Sequence, residues 1–190
     1  MATSRQASTG FSLVEVLVSI VVLSIGLLGS IGMLLTAVRT GKEAATFAAA
    51  VNLARDLSEK VRMNPGVAAR NDAANTYLVA NWTAGSDAPV AAGGGCAAEA
   101  CNPESLAAWD MSEWKRRVAK ALPGARLSVC FDDKPWNASA GEYEWTCSEA
   151  GPNVVVKLGW VPHADAANSK HDGEPQREHP PRLVMQLVSG

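Results

Sequence analysis

Thr9-Gly10-Phe11-Ser12-Leu13-Val14-Glu15-Val16-Leu17-Val18-Ser19-Ile20 marks a border between two solvents. Before it, Met1–Thr9 is polar and carries one charge, Arg5. After it, Val16–Val38 runs for 23 residues without one Asp, Glu, Lys, Arg or His. At about 1.5 Å per residue, a helix of that length spans about 34 Å, enough to cross a hydrocarbon core of about 30 Å. A secretory signal peptide has an apolar core of only about 7–15 residues followed by a small-residue cleavage site. The run is too long for that and reads as a membrane span. The chain-wide averages hide this division: 190 residues, 17 Lys+Arg against 19 Asp+Glu, net charge −2 and 47% apolar residues look like one ordinary soluble domain. The near-neutral balance argues against a dedicated nucleic-acid-binding protein, which carries a basic excess.

Glu15 is a lone carboxylate at the edge of this apolar helix, where a charge costs a few kcal/mol or more. It therefore needs a partner. The Gly10-Phe11-Ser12-Leu13-Val14-Glu15 string adjoining a long apolar helix resembles the type IV pilin and pseudopilin superfamily. That resemblance implies cleavage after Gly10 by prepilin peptidase, N-methylation of Phe11 as the new terminus, and a fifth-position carboxylate in Glu15. Electrostatics supplies a reason for the pattern: cutting after Gly10 creates an ammonium at Phe11, and a glutamate one helical turn along neutralises it, or that of a neighbouring subunit. A carboxylate near a helix N-terminus also suits the macrodipole.

Helical periodicity continues past Arg39. Phe47, Val51, Ala54, Leu57 and Val61 recur at spacings of three and four, with Asp56/Lys60 and Arg55/Glu59 expected as i,i+4 pairs on the polar side. Pro65-Gly66 ends the pattern at Asn64. From Phe11 to Asn64 the helix would measure about 81 Å, one half in lipid and one half laying its apolar stripe on a sheet. Gly26, Gly29 and Gly32 lie in the membrane half, where small residues permit close helix approach. Major pilins often carry a proline near the place of Gly32, and this chain does not.

Beyond the helix, residues 66–103, rich in Ala, Gly and Asn, read as a surface connection. Pro103 to Leu122 reads as a helix, with Leu106, Trp109, Trp114, Val118 and Leu122 facing inward and Pro123-Gly124 stopping it. Four strand-like runs follow, Arg126–Phe131, Glu142–Cys147, Asn153–Pro162 and Arg182–Val188. Consecutive strands without intervening helices favour an antiparallel sheet. The expected fold is thus α+β: a long N-terminal α-helix packed on a C-terminal antiparallel sheet of about four strands. The divisions are 1–10 as leader, 11–38 as the transmembrane and assembly half, 39–64 as the amphipathic half and 65–190 as a globular domain.

Ala108-Trp109-Asp110, Glu113-Trp114 and Leu122-Pro123-Gly124 are similar to the PilV family of minor pilins, the type IV pilus modification proteins. This second resemblance implies a structural subunit of a priming or tip complex that promotes pilus assembly. Its implied partners are other minor pilins, the major pilin, the inner-membrane assembly platform and, as the enzyme acting on it, prepilin peptidase. It implies an inner-membrane location with the globular domain periplasmic, then a place in the fibre. A minor pseudopilin of a type II secretion system, or a tip-displayed adhesin or DNA-binding module, is the alternative.

Cys96, Cys101, Cys130 and Cys147 all lie beyond the span, an even number that suits an oxidising compartment. Of three formal connectivities, Cys96–Cys101, closing a short loop, and Cys130–Cys147, near the ends of two adjacent expected strands, are favoured. A zinc site would want paired C-x2-C hooks, which the spacing lacks. Arg5 on one side and Arg39 and Lys42 on the other leave the positive-inside rule nearly balanced, so compartment rests on the cysteines and the pilin resemblance. His163, His171 and His179 fit no ligand spacing, and Asp132-Asp133 reads as a turn rather than a calcium loop. Lys115-Arg116-Arg117 reads as a solvated helix face rather than a DNA contact. Asn81-Trp82-Thr83 and Asn137-Ala138-Ser139 match the glycosylation sequon, and the six tryptophans are assigned to a modest core. No nucleophile–base pair, metal box or phosphate loop emerges. The expectation is a protein with no catalytic residues, metal or cofactor.

Overall fold

The fold is described by a computed structural model covering residues 12–86, 95–96, 98–162 and 179–189. The chain divides into two compact units, Met1–Lys42 and Glu43–Gly190. In order, the elements are α1 (Leu13–Met63), α2 (Pro65–Ala68), β1 (Val79–Thr83), α3 (Pro103–Ala121), β2 (Arg126–Phe131), β3 (Trp136–Asn137), β4 (Glu142–Tyr143), β5 (Asn153–Gly159) and β6 (Leu183–Ser189). Strands β1, β2, β5 and β6 form one sheet in the order β1-β2-β5-β6, antiparallel throughout, and β3 and β4 pair as a separate hairpin.

In the second unit, the part of α1 from Glu43 onward lays Ala50, Ala54, Leu57 and Val61 into the core. Small residues at 50 and 54 let the helix approach closely. Ser58 Oγ donates to the Leu187 carbonyl of β6 at 3.0 Å, tying helix to sheet. The stripe is shorter than its sequence pattern: Val51 is half-buried and Phe47 is exposed.

Helix α3 begins where Asn102 Oδ1 accepts from the Ser105 N–H at 2.7 Å and Pro103 takes the first turn, where its missing N–H costs nothing. Ala107, Met111, Trp114 and Val118 face the core, whereas Leu106, one residue before Ala107 and so rotated about 100° from it, is exposed. The Trp114 indole N–H donates to the Leu53 carbonyl at 2.8 Å. Asp56 and Lys60 do not pair with their own helix's i+4 neighbours as the spacing predicts. They reach across to α3, Lys60 Nζ to Asp110 at 2.5 Å and Asp56 to Arg117 at 2.5 Å, while Glu59 pairs with Arg62. A second helix within reach outcompetes a local pair that is worth only about 0.3–0.5 kcal/mol.

Two readings of the middle of the chain are corrected. Residues 66–103 are not only a surface connection: Val79–Thr83 forms edge strand β1 along β2, with Val79 opposite Val129 and Trp82 opposite Leu127, and Tyr77 and Trp82 enter the core. Asn81 at φ +52° and a register shift between Val79 and Trp82 bulge the strand. Glu142–Cys147 is a strand only over Glu142–Tyr143, and its partner is β3 rather than the main sheet.

The reason is Lys157. On β5, Val154, Val156 and Leu158 face the helices, so Val155, Lys157 and Gly159 face the other way. Lys157 is 0% exposed, and its ammonium donates to the Glu144 carbonyl at 2.7 Å and the Thr146 carbonyl at 2.8 Å. Those carbonyls serve a buried cation instead of a ladder partner, so residues 144–147 lie across the sheet's far face. Asp132 completes the site, with Oδ2 against Nζ at 2.6 Å, an ion contact off the hydrogen-bond line, and Oδ1 accepting from the Lys134 N–H at 3.0 Å. Burial pushes the Asp132 carboxyl up, but Lys157 and the N–H groups of Lys134 and Ser148 outweigh it and hold it below the usual carboxylate value. Trp145 packs the benzo edge of its indole against Gly159, where an added Cβ would lie 2.7 Å from Cζ2, and Arg126 lies over the ring with the guanidinium 4.3 Å from the centroid.

Candidate functional site

The amino-terminal part of α1 holds the residues with the clearest chemistry. The Ser12 carbonyl accepts from the N–H groups of Glu15 at 3.0 Å and Val16 at 3.2 Å, forming the first turn. Glu15 therefore sits in that turn, where its negative charge complements the unsatisfied N–H groups. It is exposed, and it is the single ionisable residue of 12–38. Gly10 and Phe11, the expected cleavage and methylation positions, lie outside the described residues.

Every described residue from 12 to 38 is exposed, including apolar Leu13, Leu17, Leu28 and Met33 at 65–88%. No water-soluble surface is built this way. Four hydroxyls of this segment are satisfied within the helix itself. Ser19, Ser24, Ser30 and Thr36 donate to the carbonyls of Glu15, Ile20, Gly26 and Gly32, four residues back, at 2.7–3.1 Å. A hydroxyl so bonded can enter hydrocarbon without an unmet hydrogen bond. Cβ atoms added at Gly26, Gly29 and Gly32 would meet nothing within 4 Å. These glycines leave shallow places along a helix long and apolar enough to cross a membrane. Chemically, the segment offers an apolar surface with one carboxylate near its start. That surface can be covered by lipid or by similar helices, and the carboxylate can receive a cation.

The other expected positions fall as follows. Cys96 is bonded to Cys101 and Cys130 to Cys147, with Cα separations of 5.4 and 6.3 Å. Cys147 is reached from the loop after β4, not from a strand beside β2. Ligand atoms of Cys130, Asp132 and Cys147 lie within 4.8 Å of one another, but both sulfurs are spent in the disulfide and the carboxylate faces Lys157. Asp133 is exposed beside the turn that Asp132 closes through the Lys134 N–H. His179 is exposed, and His163 and His171 lie outside the described residues. Of the basic triplet, Arg117 is bound to Asp56, Arg116 to Glu113, and Lys115 Nζ lies 5.8 Å from the Trp82 ring centroid. The Asn81 side chain accepts from Arg126 Nε, and Asn137 Oδ1 caps the turn at Ser139 and Ala140. Trp82, Trp114 and Trp160 are buried, Trp109 and Trp145 half-buried, and Trp136 is 50% exposed on the hairpin.

Lys157 escaped sequence reasoning because a lysine inside Val154-Val155-Val156-Lys157-Leu158 looks like an outward residue of an alternating strand. The signal that could have revealed it is the apolar character of both faces of that strand, which leaves the lysine no solvent to face.

Two family models match the chain. The prokaryotic N-terminal methylation motif matches residues 5–37, and type IV pilin Tt1218 matches residues 32–112. No curated protein and no solved structure matches it. The two matches run together from residue 5 to residue 112, across the Gly10–Glu15 border, the apolar helix and most of α3. With a helix over Leu13–Met63 whose later part packs on a C-terminal antiparallel four-stranded sheet, the chain is a member of the type IV pilin superfamily.

Proposed function

We propose that this pilin is a minor pilin of the PilV type, a structural subunit of the complex that primes or tips a type IV pilus. In this reading prepilin peptidase removes residues 1–10, Phe11 is methylated, and the remaining chain waits in the inner membrane with its globular domain in the periplasm. The subunit then joins other minor pilins, the major pilin and the assembly platform. The observation that carries the reading is Glu15: one exposed carboxylate in the first turn of a helix otherwise uncharged from residue 12 to residue 38. A membrane helix gains nothing from such a group for insertion, since its charge is unfavourable in lipid. Assembly against an ammonium-bearing neighbour gives it a use. The Lys115–Arg117 cluster, engaged by Asp56, Glu113 and the Trp82 ring, offers little to a DNA backbone, so the structural role is preferred to a DNA-binding one.

The test is co-purification from membranes of the native host with an affinity tag on the C-terminus. Recovery of other minor pilins supports the priming-complex role. Recovery of type II secretion pseudopilins instead replaces it with the secretion machine.

A further inference from the structure

The two glycosylation sequons are treated differently by the fold. In Asn81-Trp82-Thr83 the acceptor sits on the bulge of β1, its Oδ1 accepts from Arg126 Nε at 2.7 Å, and Trp82 is buried in the core. A transferase cleft must enclose the acceptor and the residues that follow it, so this sequon is reached only by pulling β1 and Trp82 out of the fold. Asn137-Ala138-Ser139 instead opens the turn of the β3–β4 hairpin, and Ala138, Ser139, Ala140, Gly141 and Glu142 are all exposed. The Gly141 N–H closes this turn on the Asn137 carbonyl at 2.8 Å. On the hairpin's opposite face Trp136 and Tyr143 clasp the two strands, their ring centroids 5.0 Å apart. The turn is therefore accessible and ordered at once. The Asn137 side chain is also polarised from both ends. Its Oδ1 accepts from the N–H groups of Ser139 at 2.9 Å and Ala140 at 3.0 Å, and its Nδ2 donates to Glu144 Oε1 at 2.5 Å. An amide nitrogen is a poor nucleophile because its lone pair is shared with the carbonyl. Two N–H groups that favour negative charge on Oδ1, and a carboxylate placed to take the Nδ2 proton, offset that weakness.

We propose that Asn137 is an N-glycosylation site whose donor is a glycan carried on a lipid pyrophosphate. Asn137 Nδ2 forms a bond to the sugar C1 as the C1–O bond breaks. The lipid pyrophosphate leaves with the bonding electron pair, and the Nδ2 proton passes to Glu144 and on to water. The exposed Ser139 supplies the hydroxyl that the sequon requires two residues after the acceptor. The inference rests on the reading that puts the globular domain outside the cytoplasm, with which the Cys96–Cys101 and Cys130–Cys147 disulfides agree. Nucleotide-activated sugars belong to the cytoplasm, so a donor that meets this domain is lipid-linked.

The full chain is isolated from membranes of its native host and digested with trypsin without reduction, which separates the two sequons onto peptides 71–115 and 127–157. Hexose or N-acetylhexosamine mass increments are expected on 127–157, with fragmentation placing them on Asn137, and 71–115 is expected to carry none. Asn137→Gln and Ser139→Ala are expected to abolish the increment, and Ser139→Thr to keep it. Glu144→Gln, which leaves the Glu144 carbonyl on Lys157, is expected to lower the glycosylated fraction, and an unchanged fraction would overturn the proton-acceptor role. Unmodified 127–157 from a chain that has lost residues 1–10 and kept both disulfides would overturn the glycan site while leaving the pilin reading intact. Full-length chain with free thiols would overturn the location on which the site depends. Sugar on Asn81, or on Ser139 in the Asn137→Gln variant, would overturn the choice of Asn137.

Discussion

Replacing Lys157 by Met is expected to destabilise the globular domain by about 3–5 kcal/mol, because it leaves the Asp132 carboxylate buried without its cation. It also strips a donor from the Glu144 and Thr146 carbonyls. For a domain of this size, about 1 kcal/mol corresponds to about 2–4 °C in Tm, so a fall of about 10–15 °C should be seen by circular dichroism. The double variant Lys157→Met, Asp132→Asn should recover much of the loss, since it removes the orphaned charge while keeping an oxygen for the Lys134 N–H. A double variant no more stable than the single one would show that the carbonyls, not the ion pair, carry the effect. The pH dependence follows from Asp132. Its folded pKa lies below its ordinary 3.8, so its contribution to stability is complete above that value and is lost as the pH falls through the lower folded value. The gap in stability between the native chain and Asp132→Asn should therefore be constant near neutrality and close under acid.

The second large effect belongs to Glu15. A unit-charge pair about 4 Å apart is worth about 4 kcal/mol at an effective dielectric of about 20, and losing a third of that costs about tenfold in affinity. Glu15→Gln is thus expected to be inserted and cleaved normally yet to enter pilin complexes at least about tenfold less, and Glu15→Ala likewise. The readout is the ratio of processed subunit in membranes to subunit recovered with its partners. Normal assembly of Glu15→Gln would mean that size or hydrogen bonding is required rather than charge, and the electrostatic account would be abandoned.

Legibility in the sequence followed the range of the forces involved. The uncharged run, the three-and-four spacing up to Val61 and the Pro65 stop are local, and α1 ends at Met63, one residue before the expected end. Pro103 and Pro123-Gly124 bracket α3 in the same way, and β2, β5 and β6 fall within three residues of their expected limits. What escaped is what the chain's own pairing decides. Val79-Ala80-Asn81-Trp82-Thr83 has a polar centre and a left-handed residue, and becomes a strand because β2 offers it an edge. Glu142-Tyr143-Glu144-Trp145-Thr146-Cys147 alternates like a strand, yet a buried ammonium claims its carbonyls. The proposed assembly residues Gly10, Phe11 and Glu15 stand in one contiguous string, which is why a sequence reading proposes them together. The two sequons look alike as strings, and only the fold separates Asn137 at an exposed turn from Asn81 on the bulge of β1.

The central claim is that this chain is a pilin precursor, matured at the Gly10–Phe11 border and used as an assembled subunit. Intact-mass measurement of the protein isolated from its native membranes tests this most directly. The account predicts a single species that lacks Met1–Gly10, carries one added methyl group on Phe11 and retains the two disulfides, and it predicts that Gly10→Val prevents that species from forming. Full-length, unmethylated chain recovered from assembled fibres would contradict it.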